Sequence, residues 1–531
     1  MAASANEELF SYSGHGWKEA SKYLLHGIDP SAAPCKNFFQ HVCGNYEKNE
    51  SDYRSSAGSQ DLEFDEIAIE VIKKINISQQ ETPQHRIHLK KFFDKCVQEV
   101  SGADSKTKAL EKLMAVFDVP YSLNNNISQN RSEVNKAEAW RLLGKLEREY
   151  KAKPFIELFL SHDLLASFQY AHKEGFFIKC VTSLSNGDRK KAEADFLDEV
   201  FVDHSVINIT SYFDFAEEAC NYIISSFQSQ SVSYIPATPL TKANVSQVAP
   251  NFDMEAFLSA YVSPNQLNDF HSKIKIYSGP IVLDVLNSFG MLFNEYSLEK
   301  IRSLAFLQIY WSLPDFKNDL DADAICLEKV KTYFAPSLAT IFLEHFKRDG
   351  LESRNKLLQF VRNLVLAFRF LTNEADWLDL EEKERLYKKI DGIEIDPGLP
   401  EWINDEEQVL SHGMVYDPNL DMFENQVKAN AEVLDYIIDN MLRGRRISMA
   451  PYGVSHYPTM ETNANYVEES YRSMTLGPRI HIQFYTTSSP LFSSDFPLAV
   501  QYGSLGTIIA HELMHGFAME KEIKNTLSDN F

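Results

Sequence analysis

The sequence predicts a mainly helical protein, in which a large helical lobe is followed by the first part of a lobe that contains both helices and strands. From about residue 60 to about residue 450, apolar residues recur at three-to-four spacing, and proline is sparse within the periodic stretches. After about residue 445 the pattern changes to short alternating and loop-like stretches. The 531 residues are more than one hydrophobic core usually spans, so at least two lobes are expected.

Two stretches show the helical periodicity most clearly. The segment NKLLQFVRNLVLAFRFL predicts a helix with one buried face. The apolar residues of that face are Leu357, Leu358, Val361, Leu364, Val365, Phe368 and Leu371. The segment FENQVKANAEVLDYIIDNMLRG predicts a second helix, which ends at Gly444 after the basic Arg443. Turns are expected at SLNNNISQN and GIEIDPGLP.

The final part of the chain predicts a strand, a loop and a helix. RIHIQFY (479–485) alternates polar and apolar residues, which is typical of a half-buried strand. SSPLFSSDFP has the composition of a loop. LAVQYGSLGTIIAHELMHGFAMEKEI predicts one long helix, in which Gly503 and Gly506 let a neighbouring element pack closely.

The composition is that of a globular protein, and it excludes some classes of partner. Hydrophobic residues make up 44% of the chain and charged residues 24%, with a formal net charge of −23. Nucleic acids and anionic membrane surfaces attract clustered lysine and arginine, so this charge argues against both. No apolar run approaches the roughly 18 residues that cross a bilayer, so no membrane span is expected. The first residues do not resemble a signal peptide, and taken alone they would favour the cytosol.

Six N-x-S/T sequons favour the opposite location, outside the cell. Chance alone gives about four in a chain this rich in asparagine and serine, so the count is weak support. The candidate glycosylation sites are Asn49, Asn76, Asn126, Asn130, Asn208 and Asn244. The six cysteines are too few to indicate a disulfide framework by their number.

The chain contains the motif HExxH at His511-Glu512-Leu513-Met514-His515. Residues four apart lie on one face of a helix, so the two imidazoles can hold one metal ion between them. Zinc lowers the pKa of a bound water, and Glu512 is placed to take its proton. The alternative is an exposed helical turn with two ordinary histidines. The preceding Ile508, Ile509 and Ala510 argue against that alternative, because they predict a buried helix in which unpartnered polar groups are costly.

Five segments, taken in order, resemble the neprilysin family of zinc metallopeptidases, peptidase family M13, which includes endothelin-converting enzyme. They are PCKNFFQHVCGNY, DWLDLEEKERLYKKIDGI, MFENQVKA, NANY and QYGSLGTIIAHELMHGF. The resemblance covers nearly the whole chain. It implies a leader at 1–34, a mostly helical domain at 35–445, and an incomplete thermolysin-like (zincin) α+β catalytic domain at 446–531. It also implies short peptide substrates and an extracellular or cell-surface location.

The resemblance implies a role for individual residues. His511 and His515 would be ligands of one zinc ion, and Glu512 would be the general base. Asn463 and Ala464 would hydrogen-bond an extended substrate, which is recognition by strand addition. Without the resemblance, Asn463 would be interpreted as a turn residue.

The resemblance also bears on the cysteines. It implies a Cys96–Cys326 disulfide across the helical domain. Cys35 and Cys43 match positions whose family partners have no counterpart in these 531 residues, so both are expected to be free. Cys180 and Cys220 are expected to be buried thiols.

Three features depart from the family pattern. VEESYRSMTLGP follows NANY where the family has a segment with proline and alanine, and Ala518 stands where the family usually has aspartate. The family's E-x-x-x-D segment with the third zinc ligand, and its downstream histidine and arginine, have no counterpart here. Glu520 and Glu522 are the nearest carboxylates, but Glu522 lies about 10 Å along the helix beyond His515, which is too far for its side chain to reach.

These observations leave two hypotheses for function. The first is a zinc endopeptidase of short peptides by lineage, expected to be inactive as these 531 residues. The second is a non-catalytic pseudopeptidase that acts as a binding or scaffold protein. The intact HExxH favours the first, and the lack of a third ligand favours the second. The oligomeric state does not follow from the sequence.

Overall fold

The structure is a computed structural model, and it describes residues 15–45, 56–101, 133–151, 156–161, 165–170, 238–278, 280–295, 298, 301–302, 321–444, 460–467 and 478–518. The helices are α1 (His15–Gly27), α2 (Phe38–Cys43), α3 (Ser56–Lys73), α4 (Gln84–Val100), α5 (Glu133–Tyr150), α6 (Lys242–Val248), α7 (Met254–Tyr261), α8 (Leu267–Lys273), α9 (Pro280–Glu295), α10 (Ala322–Tyr333), α11 (Ala335–His345), α12 (Gly350–Glu374), α13 (Leu380–Asp391), α14 (Glu406–Ser411), α15 (Met422–Leu442), α16 (Leu498–Gly503) and α17 (Leu505–Ala518). The strands are β1 (Ile156–Ser161), β2 (Leu165–Tyr170), β3 (Thr238–Leu240), β4 (Lys275–Ser278), β5 (Glu394–Asp396), β6 (Ala464–Val467) and β7 (Arg479–Ile482).

The predicted mainly helical class is confirmed, and most of the helices pack around one large apolar core. Trp140, Phe92, Phe257 and Phe342 are among the largest side chains that are fully buried in it. Aromatic residues of this size remove a large apolar area from water, so they contribute much of the stability of such a core. None of the helices in the described ranges is both long and apolar enough to cross a membrane.

The helical region contains a four-stranded sheet that the sequence analysis did not predict. Its strand order is β1-β2-β4-β3, with β2 and β4 parallel and the other two pairs antiparallel. The strands are short, and β4 lies about a hundred residues after β2 in the chain. Pairing over that separation leaves no local signal, and β-propensity depends strongly on tertiary context.

The two predicted helices of the helical region are present. The second corresponds to α15, which begins with a capping box between Asp421 and Glu424. Gly444 follows its end with φ of 63°, a left-handed conformation that glycine adopts without strain. The first corresponds to α12, but its predicted buried face is only partly right, because Leu371 is 64% exposed.

A second sheet of three strands has the order β5-β7-β6. The predicted strand RIHIQFY is shorter than expected and ends at Ile482. It is also buried on both faces, since His481 is 7% exposed and its neighbours Ile480 and Ile482 are fully buried. Ile480 and Ile482 pack into a core with α12 and α17, and His481 on the other face contacts Asp396 of β5. β5 lies within GIEIDPGLP, so only the part of that segment around Gly398, with φ of 70°, is the expected turn.

Helix α12 belongs to the same apolar core as the second sheet and α17. Leu357, Phe360 and Val361 of α12 are buried in that core with Ile480 and Ile509. A helix from within the predicted 35–445 domain therefore helps to form the lobe that carries the HExxH motif. The domain boundaries at 34 and 445 remain predictions.

The predicted single long helix from Leu498 is in fact two helices, α16 and α17. The chain bends between them at Ser504, whose hydroxyl donates to the carbonyl of Leu491 at 2.7 Å. The backbone of Ser504, with φ of −107° and ψ of −100°, is outside the helical range, so the helix is interrupted there. The expected close packing at Gly503 and Gly506 is also wrong. A Cβ at Gly503 would meet nothing within 4 Å, and one at Gly506 would make ordinary contacts at 3.4 Å.

Candidate functional site

Helix α17 brings the two histidines of the HExxH motif together. The Nε2 atoms of His511 and His515 are 3.0 Å apart, and their rings are nearly perpendicular. His511 is exposed and His515 is half-buried, so solvent reaches this side of the helix. A carboxylate oxygen of Glu512 and one nitrogen from each histidine all lie within 4.8 Å of one another.

These distances fit a single zinc ion. Zinc–nitrogen bonds of about 2.0–2.1 Å at a tetrahedral angle place two ligand nitrogens about 3.3 Å apart. The observed 3.0 Å separation needs only a small rotation of the imidazoles to reach that value. Imidazole nitrogen is also a preferred donor for zinc. His511 and His515 can therefore bind the same metal ion without a change in the helix.

Glu512 connects the motif helix to the edge of the second sheet. It is only 8% exposed, and its Oε2 accepts a hydrogen bond from the backbone N–H of Tyr466 in β6 at 2.7 Å. A bond between a charged acceptor and an amide is stronger than a neutral one. The carboxylate is thus held in one orientation beside the two imidazoles.

Strand β6 is an edge strand beside α17, and Asn463 directly precedes it. Within the described part of the chain it pairs only with β7, antiparallel, with Ala464 opposite Ile482. The amide of Gln483 donates to the carbonyl of Asn463, so the backbone groups of Ala464 and Tyr466 point away from β7. The Ala464 N–H is bound by Asn463 Oδ1 at 2.8 Å, and the Tyr466 N–H is bound by Glu512.

Gly516 is a site residue that the sequence analysis did not identify. A Cβ at this position would lie 2.3 Å from Cζ and 2.5 Å from the hydroxyl oxygen of Tyr466. The absence of a side chain lets β6 approach the helix closely enough for the Glu512 bond. A glycine inside a helix costs about 1 kcal/mol relative to alanine, so its presence directly after HExxH was a usable signal.

Charged residues pair on the face of β7 that is turned away from this core. His481 Nδ1 lies 3.1 Å from Asp396 Oδ2, and Arg479 Nη2 lies 2.7 Å from Glu394 Oε2. Burial acts to raise the pKa of Asp396. The hydrogen bond with His481 and the charges of His481 and Arg479 outweigh burial and hold that pKa below its usual value. These pairs join β5 to β7 in one register.

Comparisons with known proteins show the family of the chain. Two family models, both described as peptidase family M13, match residues 34–400 and residues 479–526. The chain belongs to peptidase family M13.

Known M13 relatives resemble the chain over most of its length, although identity is low. Neprilysin-2 of Caenorhabditis elegans is 20% identical over 94% of this chain and 71% of its own length. Membrane metallo-endopeptidase-like 1 of Mus musculus is 21% identical, over 94% of this chain and 68% of its own length.

Solved structures show the same fold. The Haemonchus galactose containing glycoprotein complex aligns with a TM-score of 0.63 and 16% identity, over 95% of this chain and 75% of that one. The Mycobacterium tuberculosis zinc metalloprotease Zmp1, in complex with an inhibitor, aligns with a TM-score of 0.57 and 14% identity, over 93% and 74%. The zincin fold class of the M13 chain is therefore confirmed.

The two cysteines that the family resemblance pairs are joined in the structure. Cys96 of α4 and Cys326 of α10 form a disulfide with their Cα atoms 5.8 Å apart, and both side chains are buried. Cys35 and Cys43 carry no disulfide within the described ranges of the M13 chain. Cys180 lies outside those ranges, as does Cys220.

The candidate glycosylation sites differ in accessibility. Asn76 is exposed in the turn between α3 and α4, whereas Asn244 is half-buried and its side chain belongs to the capping box of α6. The sites at Asn49, Asn126, Asn130 and Asn208 lie outside the described residues, as do SLNNNISQN, residues 1–14 of the leader predicted at 1–34, Glu520 and Glu522. Among the described residues, the only histidine, cysteine or carboxylate cluster with metal-binding geometry is His511, Glu512 and His515.

Proposed function

We propose that this M13 protein is a zinc-dependent endopeptidase of short peptides by lineage. The observation that carries the proposal is the position of the HExxH side chains. The two imidazole nitrogens are 3.0 Å apart, and Glu512 is bound to the adjacent edge strand. One helix therefore presents metal donors and a carboxylate beside a strand edge that can bind a peptide.

Each residue has a distinct chemical role in this proposal. His511 and His515 are ligands of the metal. Bound zinc would supply Lewis acidity, which lowers the pKa of a coordinated water towards neutrality. Glu512 is the general base that takes a proton from the attacking water, and it requires a fixed position within hydrogen-bond reach. Its bond to the Tyr466 N–H gives it that position.

The peptide substrate would lie along the outer edge of β6. The outward N–H groups of Ala464 and Tyr466 already have acceptors. An added peptide chain would therefore bind to the outward carbonyl groups of the same two residues. Those groups accept from N–H donors of an extended peptide. Asn463 is exposed at the start of this edge, where its side-chain amide can donate to a peptide carbonyl.

Residues 1–531, prepared alone, are proposed to lack peptidase activity. A catalytic zinc site has three protein ligands and an open position. The described residues supply His511 and His515, and the third member of the cluster, Glu512, serves as the base rather than as a ligand. Two imidazoles would hold zinc weakly, so the metal-bound water would be present only in a fraction of molecules.

The incomplete ligand set of the described residues also favours a second candidate. This is a pseudopeptidase that binds peptides or partner proteins along β6 without cleaving them. The edge strand and Asn463 do not depend on metal for their position, because hydrogen bonds to Glu512, Gln483 and Thr486 fix the strand. Binding that survives removal of zinc would therefore support this candidate.

An extracellular or cell-surface location is proposed from the disulfide. The Cys96–Cys326 bond is buried and has ordinary Cα separation, and disulfides of this kind persist in oxidising compartments. Two relatives have names that agree with this location, the human Kell blood group glycoprotein and the mouse membrane metallo-endopeptidase-like 1. Glycosylation at the exposed Asn76 is consistent with it.

The test uses purified residues 1–531, a quenched-fluorescent library of short peptides and added zinc. No turnover is expected, while titration with zinc should show weak binding that His511→Ala removes. Turnover that a chelator abolishes, and that Glu512→Gln lacks, would contradict the proposed inactivity and require a third ligand. Failure of zinc to bind at His511 and His515 would contradict the proposed metal site. Peptide binding that persists in chelator and in Glu512→Gln would favour the pseudopeptidase.

A further inference from the structure

Helix α3 contacts the backbone of the two segments that flank the β6–β7 pair at one end, although α3 is about 400 residues away in sequence. Asp61 contacts the segment before β6, and Gln60 contacts the segment after β7. We propose that Gln60 and Asp61 are positioning residues that hold the peptide-binding strand β6 against the HExxH helix. The proposal rests on the proposed function, because it gives β6 that role.

Asp61 fixes the residue that immediately precedes the peptide-binding edge. Its Oδ1 accepts a hydrogen bond from the backbone N–H of Thr462 at 2.7 Å. Thr462 is 7% exposed and is directly followed by Asn463. A carboxylate that accepts from a buried amide makes a strong bond, and removing the acceptor leaves that amide without its partner.

Gln60 fixes the other strand of the pair at the same end. Its side chain is 2% exposed, and its Nε2 donates to the carbonyl of Tyr485 at 2.8 Å. The same atom lies 3.3 Å from the carbonyl oxygens of Ser488 and Ser489. Because β6 and β7 are antiparallel, the start of β6 and the end of β7 are neighbours. One turn of α3 therefore holds both strands at one end of the pair.

The helix that makes these contacts is itself held firmly by the helical core. Asp65, one turn further along α3, is paired with the half-buried Lys331 of α10 at 2.7 Å. Phe64 stacks on Tyr485 with the ring centroids 4.8 Å apart, and the Tyr485 hydroxyl donates to Asp65 at 3.3 Å. The disulfide-bonded helical region thus fixes the position of α3, and the contacts of α3 in turn fix the position of the β6–β7 pair.

The position of Thr462 affects Glu512 through the strand. Four residues separate Thr462 from Tyr466, which is about 13 Å in an extended chain. Asn463 directly precedes the strand, and the N–H that binds Glu512 lies near the strand's end. If Thr462 is released, β6 can shift or fray at its start, and its bond to Glu512 weakens.

The experiment measures amide hydrogen exchange in residues 1–531, with neither zinc nor peptide present. Asp61→Leu removes the acceptor, and Asp61→Asn keeps an oxygen at the same position. Glu66→Leu is the matched control, because it removes an acidic group from an exposed position of the same helix. Exchange of the Tyr466 amide is expected to become about tenfold faster in Asp61→Leu, and to be unchanged in the other two variants. Exchange within α12 should stay at its wild-type rate in all of them.

Restoration by Asp61→Asn separates positioning from a general loss of stability, since the asparagine keeps only the acceptor. If Asp61→Leu does not fold, Gln60→Met serves as the second variant and should speed exchange at the Tyr466 amide in the same way. An exchange rate at Tyr466 within twofold of wild type, or an equal increase in Glu66→Leu, would overturn the proposal.

A separate arm measures anisotropy of a fluorescein-labelled alanine-rich pentapeptide with zinc present. Wild type and Asp61→Asn are expected to bind it, and Asp61→Leu is expected to bind it at least several-fold more weakly. Absence of binding to wild type would count against the proposed function, while the exchange result would still decide the role of Asp61. Equal peptide binding by wild type and Asp61→Leu would count against the positioning role.

Discussion

Gly516→Ala is expected to separate the edge strand from the HExxH helix while leaving the helix intact. The new methyl group would lie 2.3 Å from Cζ, 2.5 Å from the hydroxyl oxygen and 2.7 Å from Cε2 of Tyr466. Optimal contacts between carbon atoms are about 3.5–4.0 Å, so the ring must move by more than 1 Å or carry β6 with it. The bond from the Tyr466 N–H to Glu512 depends on that strand position.

Two opposing contributions determine how much Gly516→Ala changes the free energy of unfolding. Replacing a helical glycine with alanine stabilises a helix by about 0.5–1 kcal/mol. Forcing an extra methyl group into a filled space costs about 1–3 kcal/mol. The difference between these ranges is a net loss of about 1 kcal/mol, and at most about 2.5 kcal/mol, in the free energy of unfolding. Gly503→Ala is the matched control, because a Cβ there meets nothing within 4 Å and α16 should gain slightly in stability.

Urea unfolding of wild type, Gly516→Ala and Gly503→Ala measures these terms directly. The double variant Gly516→Ala with Tyr466→Ala removes the collision, so its stability should exceed the sum of the two single effects by about 1 kcal/mol or more. Equal stability of Gly516→Ala and Gly503→Ala would refute the reasoning. Additive effects in the double variant would refute it as well.

Three further predictions follow from the described structure. Replacing Cys96 and Cys326 with serine should lower the free energy of unfolding by about 5 kcal/mol in the chain-entropy model, given their separation of 230 residues; denaturant unfolding checks this. Burial, and then the charge of Arg86, lower the pKa of His85 to about 4, so folding disfavours its protonation. The stability due to neutral His85 is present above pH 6.5 and is lost as the pH falls towards 4. His85→Leu should therefore flatten the decline of the thermal midpoint with pH in that window, and a slope equal to wild type would contradict this. His515→Ala should weaken zinc binding at least tenfold in calorimetric titration, whereas substitution of the exposed Glu66 should not.

The sequence determined those features of the protein that depend on neighbours along the chain. The four-residue spacing of His511 and His515 placed both imidazoles on one face of α17, because helix geometry repeats locally. The periodicity of α12 and the glycine end of α15 were predictable for the same reason. The resemblance to M13 peptidases, rather than any residue spacing, indicated the Cys96–Cys326 pair.

Only the tertiary structure decided which core each element joins. The pattern of α12 predicted a helix, but it did not show that Phe360 and Val361 would pack with the strands and α17. It also marked Leu371 as buried, although that side chain is 64% exposed. Periodicity specifies an apolar face, and the length of face that is covered depends on the elements that dock against it.

The strands, and the hydrogen bonds that hold the candidate site in place, also depend on tertiary packing rather than on local sequence. RIHIQFY alternates, but β7 is buried on both faces, because α12 and α17 pack on one face and the carboxylates of β5 pair with the other. The bonds from the Tyr466 N–H to Glu512 and from the Thr462 N–H to Asp61 join residues 46 and 401 positions apart. Contacts at that separation leave no periodic trace in the chain, since they depend on how complete elements pack. The sequence by itself therefore determined the chemical groups of the candidate site, and the packing of α3, β6 and α17 decided how those groups are held.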